Sequence, residues 1–239
     1  MAGRKDMIPF RDNIPSRSFP FITVSLITAN VFVFFYELSL GSRSFERFIM
    51  HYGVVPTTVL AWPQSHIPFT AVALPFFTSM FLHGGWLHLI GNMWYLWIFG
   101  DNVEDRLGHF NYLLFYLLCG LGAGIVHTVL NSQTSVPSVG ASGAIAGVLG
   151  AYVVSFPFAR VLTLVPIFMF LQVIEIPAVL LLIFWFLMQF LYGTAALATT
   201  TANAGGVAWW AHVGGFVIGI ILVGLFPGKD RARYGYSRY

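Results

Sequence analysis

Gly140-Ala141-Ser142-Gly143-Ala144-Ile145-Ala146-Gly147 and Trp209-Trp210-Ala211-His212-Val213-Gly214-Gly215 are the two stretches on which the fold turns. Each belongs to a hydrophobic segment long enough to span a bilayer, and each carries one residue suited to chemistry. Polar and ionisable groups at membrane depth are expensive and mark function. A serine and a histidine held there together suggest a nucleophile and its base.

Composition supports the bilayer. Of 239 residues, 57% are hydrophobic and only 9% charged, with a mean hydropathy of +0.77. A soluble globular domain carries about 25% charged residues, so the chain reads as an integral, multi-pass, all-α membrane protein. The net charge of +3 is no nucleic-acid signal, because the basic residues are split between the two ends. There they meet lipid headgroups and set topology. The single cysteine, Cys119, excludes an intramolecular disulfide and a Cys-based metal site. The polar start, through Pro20, has no early apolar core and so does not read as a cleavable signal.

A bilayer-crossing helix needs about 20 mostly apolar residues. Six segments qualify as expected spans, roughly at 21–40, 86–99, 110–130, 139–156, 178–192 and 207–226. The second is short unless the stretch upstream contributes. Residues 71–82, broken by Pro75, and residues 162–176, carrying Pro166, Gln172 and Glu175, read as interfacial or re-entrant. The domain plan is then a segment 1–20, a six-span domain 21–226 and a tail 227–239.

Charge placement tests the number of spans. Arg4, Lys5, Arg11 and Arg17 precede the first, and Lys229, Arg231, Arg233 and Arg238 follow the last. An even number puts both basic ends on one side, which the positive-inside rule makes cytoplasmic. Arg106 and Arg160 then fall in cytoplasmic loops, and only Arg43 and Arg47 fall outside. The long first outer loop carries Trp62 and His66 and reads as lying in the interface. The outer loop 193–206, with Thr194, Thr199, Thr200 and Thr201, reads as a flexible lid beside the histidine span.

Gly140 and Gly143 flank Ser142 where the fourth span begins. Glycines allow a tight entry and close backbone approach, and free N–H groups at a helix start favour a developing oxyanion. Ser142, Ala146 and Gly150 share one helical stripe, as do His212, Gly215 and Gly219. Small-residue stripes let helices pack closely in lipid, which would bring the hydroxyl within reach of the imidazole. The bland alternative is two ordinary packing seams with an incidental serine. No acidic residue lies between Glu175 and Asp230, so a Ser–His dyad is expected rather than a triad.

His83, His88 and Asn92 gather at one end of the second span. His88 and Asn92 are four apart and share a helix face. They can donate hydrogen bonds to an oxyanion, or simply satisfy each other or neighbouring backbone. A metal site is weaker, since the His-Glu-x-x-His pattern is absent.

Together these segments resemble the rhomboid family of intramembrane serine proteases, over about residues 9–226. The resemblance rests on Gly140-Ala141-Ser142-Gly143, on Ala211-His212-Val213-Gly214-Gly215 with Gly219, and on His88-Leu89-Ile90-Gly91-Asn92. Phe99-Gly100-Asp101-Asn102-Val103-Glu104-Asp105 with Gly108 also looks like the family's turn after the second span. The resemblance implies a six-transmembrane-helix bundle with Ser142 as nucleophile and His212 as general base. It implies oxyanion donors His88, Asn92 and the Ser142 N–H, with His83 supporting and Gly215 and Gly219 as packing glycines. It implies single-span membrane-protein substrates entering near the second and fifth spans, a water cavity open to the outer face, and no cofactor.

There are departures. The first outer loop lacks the Trp-Arg pair of some members. Ala146 stands where some have a tyrosine packed on the histidine, so something else must orient His212, with Trp209 or Trp210 as candidates. The absence of a seventh span and of a soluble domain suggests a compact bacterial inner-membrane type. The competing reading is a non-proteolytic relative that binds membrane clients. A small transporter or channel is disfavoured because no inverted repeat is visible, and an aspartyl protease because Asp101 has no partner aspartate in a span.

Overall fold

The computed structural model describes residues 8–167, 170–198 and 207–227. The basic residues at 4, 5, 229, 231, 233 and 238, and the threonine-rich part of the expected lid at 199–201, lie outside the described residues. The protein is mostly helical. Its described elements are β1 (Ile8–Asp12), α1 (Phe21–Ser39), α2 (Ser42–Tyr52), α3 (Pro56–Ala61), α4 (Phe69–Ala73), α5 (Pro75–Thr78), α6 (Trp86–Leu107), α7 (His109–Leu130), α8 (Ser142–Ser155), β2 (Arg160–Ile167), β3 (Phe170–Pro177), α9 (Ala178–Ala198) and α10 (Trp209–Leu222).

Helix α8 is the axis of the bundle. Every residue from Gly143 to Tyr152 is buried, and α6, α7, α9 and α10 all pack on it. A helix apolar all round is a core helix. Helix α1 stands outside and buries one stripe, Thr23, Leu26, Asn30, Phe34 and Glu37, at the three-and-four spacing of a single face. That stripe lies against α6.

Three described helices are both long and apolar enough to cross a membrane: Phe21–Ser39, His109–Leu130 and Ala178–Ala196. The protein is therefore a membrane protein, and the other three expected spans differ for physical reasons. Helix α6 has 22 residues but carries Asp101, Glu104, Asp105 and Arg106 in its last turns. Helices α8 and α10 have 14 residues each. That length is about 21 Å at the α-helical rise, short of the ~30 Å hydrocarbon core.

Two regions differ from the expectations drawn from the sequence, and the first departs from an all-α bundle. The stretch expected to be interfacial or re-entrant forms the antiparallel pair β2–β3, and β1 adds to it in the order β1-β2-β3. The segment is rich in β-branched residues (Val161, Thr163, Val165, Val173, Ile174, Ile176), which favour strands. Strand β1 carries an extra residue between Pro9 and Arg11 relative to β2. Pro9 has no N–H to give the ladder, while its carbonyl accepts the Trp94 indole N–H at 2.6 Å and ties the sheet to α6.

The second departure is the end of α6. The sequence Phe99 to Asp105, expected to be a turn, is helix, and the turn falls at Gly108, whose φ is +77°. Helix persists because its charges find partners. Glu104 accepts the Ile22 and Thr23 N–H groups at 2.9 and 2.8 Å and the Thr23 hydroxyl at 2.7 Å. These are free donors at the start of α1, where a carboxylate belongs. Asp105 accepts the Ser18 hydroxyl at 2.6 Å, and Arg106 donates to Ser155. Nearby, Asp12 accepts the Asn102 amide at 2.9 Å and the Tyr152 hydroxyl. Burial nevertheless pushes its carboxyl up to about 6, the donated hydrogen bonds offsetting only part of the desolvation.

Candidate active site

The loop entering α8 is held on both sides. Val54 and Ser138 exchange backbone hydrogen bonds at 3.0 and 2.8 Å, and the Gly140 N–H reaches the Ser79 carbonyl at 2.9 Å. Gly140 has φ +122°, a conformation side chains rarely adopt. A Cβ there would also sit 2.5 Å from His88 Nε2. Two separate constraints thus require glycine two residues before Ser142. Ser142 opens α8, so the N–H groups of its first turn have no partner inside the helix.

His212 comes from the first turn of α10, and the two helices meet backbone to backbone. A Cβ on Gly215 would lie 2.0 Å from the Gly143 carbonyl oxygen, and one on Gly219 2.0 Å from that of Gly147. Gly150 is equally tight, 2.2 Å from the Phe216 oxygen. Ala146 occupies the remaining gap, its Cβ 3.3 Å from where a Gly215 side chain would start. The glycine stripes therefore remove the space that side chains would hold open. His212 Nε2 lies 2.8 Å from Ser142 Oγ.

The other face of the imidazole is occupied by a residue that sequence reasoning missed. Gln189 of α9 places Oε1 2.8 Å from His212 Nδ1, and both side chains are buried. Trp185, one turn earlier on α9, lies over the ring at 5.7 Å between centroids and 33° between planes. Of the two tryptophans expected to orient His212, Trp209 meets it edge-on at 6.4 Å. Trp210 packs on Phe190 instead. A signal for Gln189 was present, since an amide in an otherwise apolar span is a functional flag.

His88 and Asn92 do share a face of α6, and that face looks at Gly140. A Gly140 Cβ would lie 3.6 Å from Asn92 Nδ2, beside the His88 contact. His88 Nδ1 faces the Gly84 N–H at 3.4 Å, which leaves Nε2 to carry the ring proton. Asn92 does not pair with His88. Its Nδ2 lies 3.0 Å from His83 Nε2, leaving its second N–H unspent. His83 is fully buried, and its backbone N–H reaches the Glu37 carboxylate at 3.2 Å. A pocket opens next to Ser142, walled by Ser79, Val139, Gly140, Gly143, Ala208 and Ala211. Among the described residues, no three His, Cys, Asp or Glu side chains gather closely enough to hold a metal ion.

Fold and site define a helical membrane protein built around a hydrogen-bonded Ser–His pair. The family model of the Rhomboid domain matches residues 71–228, and the chain belongs to that family. It is 44% identical over 72 residues to rhomboid-like protein 11, chloroplastic, of Arabidopsis thaliana, covering 30% of this chain and 25% of that one. It is 30% identical over 160 residues to presenilin-associated rhomboid-like protein A, mitochondrial, of Danio rerio, covering 63% and 37%. It is 29% identical over 204 residues to the Bos taurus presenilin-associated rhomboid-like protein, mitochondrial, covering 82% and 46%. The chain thus spans less than half the length of these relatives.

Proposed function

We propose that this protein is an intramembrane serine endopeptidase that cleaves the membrane segments of single-span proteins through an acyl-enzyme. The observation that carries this reading is the 2.8 Å contact between Ser142 Oγ and His212 Nε2. Ser142 Oγ attacks the scissile carbonyl carbon, and its proton passes to His212 Nε2. Charge that develops on the carbonyl oxygen is met by His88 Nε2–H, the free Asn92 N–H and the Ser142 backbone N–H. The intermediate collapses, the C–N bond breaks, and His212 gives its proton to the leaving amine. Water, activated by the same imidazole, then hydrolyses the Ser142 ester. Gly140 and Gly143 let substrate backbone approach, and His83 aligns Asn92.

The domain of this reading is 21–226, with six spans in which α6, α8 and α10 complete the crossing as core helices shielded by their neighbours. Both termini are cytoplasmic, and the membrane is a bacterial inner membrane. No cofactor takes part. The test is labelling of the purified protein in lipid by a fluorophosphonate, followed by mass mapping. Adduct on Ser142 that disappears in His212→Ala supports the reading. An intact native chain carrying no adduct overturns it in favour of a client-binding, non-proteolytic relative.

A further inference from the structure

We infer that Gln189 is the positioning residue for His212, its amide oxygen holding the proton on Nδ1 so that the Nε2 lone pair faces the Ser142 hydroxyl. The inference rests on the Ser–His reading above and deepens it. A neutral imidazole carries one N–H and one lone pair. An amide oxygen can only accept, so a ring nitrogen 2.8 Å from Gln189 Oε1 must be the donor. The proton is then on Nδ1, and the nitrogen 2.8 Å from Ser142 is left as acceptor. The opposite tautomer would point an N–H at the serine and leave nowhere for the hydroxyl proton to go.

Position and chemistry agree with this role. Gln189 and Trp185 are four apart on α9 and share the face turned to His212. The indole limits tilting of the ring, and the amide fixes its rotation and tautomer. A carboxylate in this place would bring a charge into a buried position, which is costly. An amide supplies the acceptor without the charge. The base is thus completed by a third helix, and a site built of α8 and α10 alone would lack it.

The experiment compares Ser142 labelling rates across pH for the native chain, Gln189→Leu and Gln189→Glu in lipid bicelles. In the labelling step an Oγ–P bond forms, fluoride leaves, and the hydroxyl proton passes to His212. Melting temperatures are followed alongside, and Gln189→Met replaces Leu if Leu lowers melting. The Leu or Met variant should label ~10–100-fold more slowly, a milder loss than that of a triad carboxylate. The Glu variant should recover most of the native rate, with its pH profile displaced upward because a carboxylate stabilises the imidazolium. Native-like labelling by the Leu or Met variant, or a Glu variant as slow as Leu with an unmoved profile, overturns the inference alone. A native chain that never labels overturns the Ser–His reading, and this inference falls with it.

Discussion

At its last turns α6 buries Glu104, Asp105 and Arg106, and their carboxylates and guanidinium are bonded to backbone or hydroxyl donors and acceptors of α1, α8 and the chain before α1. At its first turns the same helix presents His88 and Asn92, whose hydrogen-bonding capacity is only half spent. The charged end ties α1, α8 and the chain before α1 to α6 through these bonds, which suits it to fastening helices. Beside the neutral end runs a line of single contacts between α9, α10 and α8, Gln189 to His212 to Ser142. Bonded charges favour rigidity, whereas unpaired donors suit a place where charge would develop.

Substitutions beside the neutral end should cost the most activity. Ser142→Ala or His212→Ala should lower peptide-bond cleavage by about four orders of magnitude or more, with thermal unfolding nearly unchanged. Rates in lipid and a melting curve for each variant check both halves. At the charged end the pattern should invert. Glu104→Ala leaves the start of α1 with unmatched buried donors and should cost roughly 3 kcal/mol of stability. The folded fraction should still label at Ser142 within about threefold of the native rate, since a remote site couples weakly. Equilibrium unfolding and labelling on one preparation separate the two effects.

A substitution between the clusters should disturb stability and chemistry together. Gly219→Ala pushes a methyl to 2.0 Å from the Gly147 oxygen. Relieving that overlap should cost about 1–3 kcal/mol and slow labelling by moving His212 from Ser142. Loss of stability with native labelling would mean that the seam does not set the site.

The smallest expected effect is a pH dependence at the charged end. The Asp12 carboxyl is raised from 3.8 to about 6 by burial. A carboxyl raised on folding holds its proton more tightly in the folded state, so it favours folding at low pH. That contribution fades as pH climbs from about 4 through about 6. Exchange protection of β1 should therefore weaken over this window, and Asp12→Asn should lessen the dependence. The pH profile of labelling should be the same in both proteins.

Much of the site was legible because it obeys rules local to one segment. A serine between glycines at a helix start and a histidine on a glycine stripe are visible without knowing which helices touch. Gln189 was equally visible as an amide in an apolar run, but its partner lies 23 residues away. Assigning it required the rotational register of α9 against α10, which apolar periodicity cannot supply when nearly every position is apolar. The strand pair β2–β3 escaped for a related reason, since a short apolar stretch does not distinguish strand from helix by period. The length of α6 was underestimated because Asp101 to Arg106 look solvent-bound until their partners are known. The halves of those contacts lie more than 80 residues apart at Ser18, Ile22 and Thr23.

In the proposed function Ser142, activated by His212, attacks peptide bonds of membrane segments. The most direct test is cleavage of a generic single-span substrate by the purified protein in lipid, beside Ser142→Ala and His212→Ala. Cleavage by the native chain that is lost in both variants is the predicted result. Cleavage that survives in Ser142→Ala, or a folded native chain that neither cleaves nor takes a serine probe, would contradict it.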